Sequence, residues 1–359
     1  MARNTKKSLG FGCEHQLYSR CPICCVVPPH MLENIAVNGS PEQRRWAFHT
    51  LSVSAQFRGR RNVVGNINFA VSPGEKRRTI FDAKGTEELP GKPVRHEGDS
   101  RSGDDAVDEA YDAAGATYDL YYEVFERNSI DDKGLRLDST VHYGVKYDNA
   151  FWNGDQMVYG DGDGEIFQRF TKCIDIIGHE LTHGVTQYEA GLIYFGESGA
   201  LNESFSDVFG SLVKQWVKKQ TAQEADWIIG EGLFTDKVKG VGIRSMKAPG
   251  TAYDDPILGK DPQPGHMKDK YMGFEDNGGV HINSGIPNRA FYIAATEIGG
   301  YAWEKVGKIW YIALRDRLRS RASFKRAAKT IIQVAGELYG QGSLEQNAVE
   351  KAWKEVGVI

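Results

Sequence analysis

The segment Cys173-Ile174-Asp175-Ile176-Ile177-Gly178-His179-Glu180-Leu181-Thr182-His183-Gly184-Val185 constrains this chain more than any other. Ile174, Ile177, Leu181 and Val185 recur at helical spacing, which predicts a buried helix. Residues four apart share a helix face, so His179 and His183 can aim both imidazoles at one metal ion, with the Glu180 carboxylate beside them. Two core histidines with ordinary hydrogen-bond partners would read the same way. What lies downstream decides between the two.

Glu203 follows His183 by twenty residues, in Asn202-Glu203-Ser204-Phe205-Ser206-Asp207. Phe205, Val208, Phe209, Leu212, Val213 and Trp216 form a helical apolar stripe there, and Glu203 and Asp207, four apart, share a face. A catalytic zinc site takes three protein ligands and one water, and two histidines with one glutamate are an established set. Glu203 fits as the third ligand, and Asp207 as the acceptor that holds one ligand histidine in place. A merely solvated acidic face would carry matching Lys or Arg, and this segment has none nearby.

At 359 residues the chain has room for two domains, or for one with additions. Its 40% hydrophobic and 26% charged residues are those of a globular protein. No apolar run approaches the roughly twenty residues that span a bilayer, so no membrane insertion is expected. Through Arg61 there are nine Lys/Arg against three Asp/Glu, whereas the remainder carries 35 against 45. A basic leader on an acidic body predicts electrostatic docking within the chain rather than nucleic-acid binding. Arg3, Lys6 and Lys7 are not followed by an apolar h-region, so a classical signal peptide is not visible. Four of five cysteines (Cys13, Cys21, Cys24 and Cys25) lie in the leader. Cys173 is alone in the body, which therefore has no disulfide framework.

Pro28-Pro29 predicts extended backbone, followed by the apolar Met31-Leu32, and residues 46–53 read as a short helix or strand. Strand-like runs occur at 63–64, 67–69, 79–81, 139–143 and 149–154, with a helix over 104–127. Asp161-Gly162-Asp163-Gly164 reads as a turn rather than a calcium loop, because the carboxylate an EF-hand needs is missing. Helices are expected at 200–218, 284–299, 302–319, 322–338 and 343–355, with a loop-rich stretch at 231–283. The fold class is α+β and two-lobed, divided as residues 1–61, 62–190 and 191–359.

Further motifs stand in order along the chain: Asn149-Ala150-Phe151-Trp152-Asn153-Gly154, Ala190-Gly191-Leu192-Ile193-Tyr194 and Gly278-Gly279-Val280-His281-Ile282-Asn283-Ser284-Gly285. With the histidine and glutamate motifs they resemble the thermolysin family (gluzincins) of zinc metallopeptidases. The leader, through Pro28-Pro29-His30-Met31-Leu32, resembles the short prosegments of its protealysin-like subgroup. The resemblance implies a thermolysin-like fold and a neutral endopeptidase made as a zymogen, acting on polypeptides and inhibited by its own prosegment, with one catalytic zinc on His179, His183 and Glu203. It implies Glu180 as general base, His281 and Tyr194 as oxyanion donors, Asp276 as the group orienting His281, and Arg244 as a binder of substrate carbonyl. Asn149 and Ala150 would pair with an extended substrate. Phe167, Phe170, Ile176 and Ile243 would line the pocket for a bulky apolar residue just after the scissile bond.

Asp175, Asp226 and Glu231 match positions of the family's double calcium site, but Lys214, Ile228 and Gly232 replace other acidic ligands. Little or no calcium is expected, with Lys214 as the fixed cation in its place. The subgroup resemblance and the missing signal peptide lead to an expectation of cytoplasmic accumulation, secretion being the alternative, and of a monomer. The rival reading is a catalytically silent, zinc-dependent peptide-binding protein. Such a protein would be expected to lack Glu180, His281 or a zinc ligand.

Overall fold

A computed structural model describes residues 24–59 and 74–359. Cys13, Cys21, Arg60, Arg61 and the strand-like runs at 63–64 and 67–69 lie outside them. The elements, in order, are β1 (Cys24–Cys25), α1 (Pro29–Asn38), α2 (Pro41–Gly59), β2 (Arg78–Asp82), β3 (Lys92–His96), α3 (Asp105–Phe125), β4 (Leu137–Val141), β5 (Ala150–Trp152), β6 (Met157–Tyr159), α4 (Ile174–Tyr188), α5 (Gly196–Lys218), β7 (Ile228–Ile229), β8 (Arg244–Ser245), α6 (Glu275–Asn283), α7 (Gly285–Ile298), α8 (Val306–Ile312), α9 (Phe324–Tyr339) and α10 (Leu344–Glu355). A six-stranded sheet ordered β1-β5-β6-β4-β2-β3 forms one lobe and helices α5 to α10 dominate the other, with α4 between them.

The leader departs from its expected shape. Pro29 opens a ten-residue helix, with Pro28 extended at its N-cap. Proline suits the first helical turn, where its missing N–H would have no partner in any case. The strand lies upstream, at Cys24–Cys25, and the short element expected at 46–53 is part of the nineteen-residue α2. Of the basic residues behind the expected electrostatic docking, only Arg44 and Arg45 have described side chains. Arg44 bonds the Gly39 carbonyl and Arg45 lies over Trp46, both within the leader. Its ion pairs to the body, Glu42–Lys146 and His49–Glu87, are partly exposed and worth little. Buried Met31, Leu32 and Ile35 and main-chain pairing attach the described part of the leader.

Helix α3 starts where Asp104 accepts the amides of Ala106 and Val107, and acidic Asp105 and Asp108 complement its positive end. His142 bridges that cap to the turn after β6, with Nε2 3.0 Å from Asp104 and Nδ1 2.8 Å from Asp161. Hydrogen bonding to Asp161, helped by Asp104 and opposed by burial, raises its pKa to about 9. A folded-state pKa above the unfolded value of 6.5 adds stability that is complete below the latter and lost as pH rises through about 9. The Tm difference between wild type and His142→Gln should therefore shrink between pH 6 and pH 9.5. A constant difference would refute the linkage. The Gly/Asp loop is a turn: Asp163 Oδ1 accepts the amides of Glu165, Ile166 and Phe167.

Helices α4 and α5 cross unusually closely, and glycine permits it. A Cβ on Gly178 would stand 3.1 Å from Gly210 Cα, and one on Gly210 would stand 2.3 Å from the Asp175 carbonyl oxygen. This crossing brings the His179/His183 face of α4 onto the Glu203/Asp207 face of α5.

Candidate active site

His179, Glu180, His183, Glu203 and Asp207 are all buried at the α4–α5 crossing. The Asp207 carboxylate can only accept, so His179 Nδ1–H donates to it at 2.8 Å. His183 Nδ1 lies 2.8 Å from Asn202 Oδ1 and 3.0 Å from Ser206 Oγ, and burial lowers the His183 pKa to about 4, leaving a neutral ring. With both Nδ1 atoms engaged, the two Nε2 lone pairs face each other at 3.0 Å. Glu203 places a carboxylate oxygen 3.5 Å from each, and its Oε2 accepts no hydrogen bond among the described residues.

Two lone pairs and a carboxylate converging in a buried space repel one another unless a cation sits among them, so the residues fit zinc. Glu180 is also near, with ligating atoms of His179, Glu180 and His183 all within 4.8 Å of one another. Glu180 Oε2 accepts the Trp152 amide at 3.1 Å, which ties it to the sheet side of the cleft. Glu203 is therefore the better third ligand.

Across the cleft, Tyr194 donates to Glu203 Oε1 and lies 3.1 Å from His281 Nε2. Asp276 receives His281 Nδ1 at 2.6 Å and the His281 amide at 2.8 Å. Burial disfavours charge on His281, but Asp276 and Glu203 outweigh it and raise the pKa to about 9. Asp276 gets there because α6 is not a regular helix at its start. Asp276, Asn277, Gly278 and Gly279 all have φ between 51° and 78°, a left-handed run suited to Asp, Asn and Gly.

Arg244 is positioned by the short β7–β8 pair, opposite Ile229. Its Nε and Nη2 grip both oxygens of Asp207 at 2.8 Å each. Phe167, Phe170, Ile176 and Ile243 are buried in one apolar cluster, together with Val26 and Val27 of the leader. Lys214 lies 2.7 Å from Asp226, 3.2 Å from Asp175 and 3.9 Å from Glu231, and donates to the Ile228 carbonyl.

Strand β1 covers β5, which would otherwise be the sheet edge. Cys25 pairs with Phe151, the Val26 amide donates to the Ala150 carbonyl at 3.1 Å, and the Val27 amide to Asn149 Oδ1 at 3.0 Å. Arg244 Nη1 donates to the Val26 carbonyl at 3.1 Å, while His281 Nε2 meets the Cys25 carbonyl at 3.1 Å. The Cys25 side chain packs with Val53, Tyr143, Tyr147, Phe151 and Val158, so its carbonyl, not its sulfur, faces His281. Sequence reasoning gave no role to Asn202 or Ser206. They too are four apart on α5, the same signal that singled out Glu203 and Asp207.

A sheet lobe and a helical lobe meeting at an HExxH helix, with a buried His-His-Glu trio between them, define a zinc metalloendopeptidase. The profile of the thermolysin metallopeptidase catalytic domain matches residues 68–187, and that of the thermolysin metallopeptidase alpha-helical domain matches residues 190–358. The chain belongs to the thermolysin family of metallopeptidases. It is 52% identical over 338 residues to an "Extracellular metalloprotease" of Pectobacterium carotovorum subsp. carotovorum, covering 94% of this chain and 97% of that protein. It is 51% identical over 341 residues to "Protease PrtS" of Photorhabdus sp. (strain Az29), covering 93% and 91%. The solved precursor of protealysin, a metalloproteinase from Serratia proteamaculans, superposes with a TM-score of 0.87 at 56% identity, over 94% of this chain and all of that one. The protein is thus a protealysin-like zinc metalloendopeptidase made as a zymogen. The expectation of cytoplasmic accumulation is overturned, because a relative matching nearly the whole chain is named as extracellular. The missing h-region misled, since the absence of a recognisable signal does not establish retention.

Proposed function

We propose that His179, His183 and Glu203 hold the zinc and that Glu180 is the general base of peptide-bond hydrolysis. The observation that carries this is the pair of facing Nε2 lone pairs beside Glu203. Bound there, zinc would supply Lewis acidity to a water and to the scissile carbonyl. Glu180 takes the proton of the attacking water and returns one to the leaving amine. His281, kept protonated at Nδ1 by Asp276, donates from Nε2 to the developing oxyanion, with the Tyr194 hydroxyl beside it. Arg244 binds the carbonyl of the residue after the scissile bond, and Asn149 and Ala150 pair with the extended substrate backbone. Asp207 orients His179 and Arg244 together.

Phe167, Phe170, Ile176 and Ile243 favour Leu, Phe, Ile or Val after the cut, since burying such a side chain contributes roughly 1.5–3 kcal/mol. Mass-spectrometric mapping of a digested, denatured protein should place most cuts before those residues; cuts mostly before Lys or Asp would reject the pocket assignment. The enzyme acts outside the cell, as does the Pectobacterium relative by its name. Lys214 takes the place of calcium between Asp175, Asp226 and Glu231.

Residues 1–61 are the prosegment, and residues 25–27 lie along the track of a substrate, with the Cys25–Val26 bond where the scissile bond would be. Every backbone contact a substrate would use is then taken by the chain itself. Val26→Asp places a charge in a fully buried position of this contact. It should shorten the lag before the full-length protein shows activity, as followed with a quenched fluorescent peptide. An unchanged lag would count against inhibition through this contact.

A further inference from the structure

We propose that Asn288 is a positioning residue for the hydrolysis, a buried donor that fixes the carboxylate shared by His179 and Arg244. The proposal rests on the roles given above to those two residues. Asp207 has four hydrogen-bonding positions on its two oxygens, and all four are filled. Oδ1 receives His179 Nδ1 and Arg244 Nη2, each at 2.8 Å. Oδ2 receives Arg244 Nε at 2.8 Å and, also at 2.8 Å, Asn288 Nδ2.

Without the fourth donor the carboxylate could turn about its Cβ–Cγ bond toward the guanidinium, and its alignment to His179 would loosen. Asn288 comes from another element than His179 and Arg244, which make the other three bonds. It sits in the first turns of α7, whose preceding helix carries His281. Gln263 Nε2 ties the His281 carbonyl, at 2.7 Å, to Ser284 Oγ, at 3.0 Å, and the Asn288 amide bonds the Ser284 carbonyl. A single carboxylate therefore keeps the zinc ligand, the carbonyl-binding arginine and the helix pair behind the oxyanion donor in one arrangement.

The asparagine is held for one bond rather than as a fully satisfied core amide. The side chain is fully buried, yet Oδ1 has no hydrogen-bond partner among the described residues. The orphaned amide oxygen carries a cost, which the bond from Nδ2 to the buried Asp207 carboxylate offsets. The donor is kept for what it holds.

The test compares wild type, Asn288→Leu and Asn288→Asp in the enzyme as it matures from the full chain. Partners that orient metal ligands typically matter by about 10–100-fold in activity or metal affinity. Asn288→Leu should lower kcat, raise KM and weaken zinc binding in chelator competition, with a combined loss in kcat/KM in that range. Asn288→Asp should recover much of the loss at pH 6, because burial next to Asp207 keeps its carboxyl protonated and donating. The recovery should fade toward pH 9.

Wild-type kinetics and zinc affinity in Asn288→Leu would overturn the proposal, as would an Asn288→Asp variant with a wild-type pH profile. If Asn288→Leu does not fold, the pH profile of Asn288→Asp decides alone. If wild type itself shows no peptidase activity with zinc, the proposed function fails, whereas the zinc-affinity comparison still reads the Asn288–Asp207–His179 contact.

Discussion

Replacing Glu180 by Gln is expected to reduce peptide hydrolysis by roughly 10³–10⁴-fold, the upper part of the range for a lost general base. The side chain is buried, and its Oε2 bonds the Trp152 amide at 3.1 Å, a contact that the amide oxygen of Gln can keep. The fold and zinc affinity should therefore survive, since His179, His183 and Glu203 are untouched. The same variant reports on maturation. If the enzyme removes its own leader, Glu180→Gln should accumulate at full length, and N-terminal sequencing should find trimmed protein only in the wild type. Stoichiometric zinc with lost turnover is the signature of a base. Loss of zinc together with turnover would instead make Glu180 a ligand, as its proximity to the two histidines also allows.

The largest stability effect is expected at Lys214. Its ammonium is almost fully buried, against Asp175, which is 2% exposed at the side chain, and Asp226, which is 25% exposed. Burial disfavours the charged amine, but the two carboxylates outweigh that and hold it firmly protonated. Lys214→Met keeps the length of the side chain and removes the cation, leaving Asp175, among the described residues, with the amides of Ile176 and Gly230. Breaking a buried pair from one side costs about 3–5 kcal/mol. In a chain of this size that is a fall in Tm on the order of 5–10 °C. Calorimetry with and without calcium checks both halves of the idea. Wild type should be indifferent to added calcium, and the variant should melt lower in its absence. A wild-type Tm that climbs by many degrees with calcium would show that the ion, not the lysine, belongs there.

The central site was readable in the sequence because its parts lie on two helices. Four-residue spacing puts His179 with His183 and Glu203 with Asp207, and the apolar stripes face each helix inward. Tyr194, Arg244, Asp276 and His281 had no such signature. They come from a loop, a two-residue strand, a left-handed turn and the short helix behind it, and only long motifs shared with a known family pointed to them. Asn202 and Ser206 carried the helical signal and were passed over. Asn288 carried none, because a lone asparagine on an apolar helix shows its purpose only through what it touches.

The leader was misread for physical reasons. Pro28 is extended as Pro-Pro predicts, but Pro29 opens α1, because proline at a first helical turn is favourable. Apolar burial of Met31, Leu32 and Ile35 and pairing along β5 hold the described part of the leader, whereas most of its basic residues lie outside the described residues. The chain paired beside Asn149 and Ala150 is part of the leader. That the chain adding there is the protein's own Cys24–Val27 depends on contacts more than 120 residues apart, which local pattern does not encode.

The account stands on zinc held by His179, His183 and Glu203 in the matured enzyme. The most direct measurement is turnover of a peptide with Leu after the scissile bond, before and after complete chelation, followed by titration with zinc. One zinc per chain should restore full activity with a sharp end point, and Glu203→Ala should bind zinc poorly and remain inactive. Undiminished turnover in metal-free protein, or full activity of Glu203→Ala at one equivalent of zinc, would contradict it.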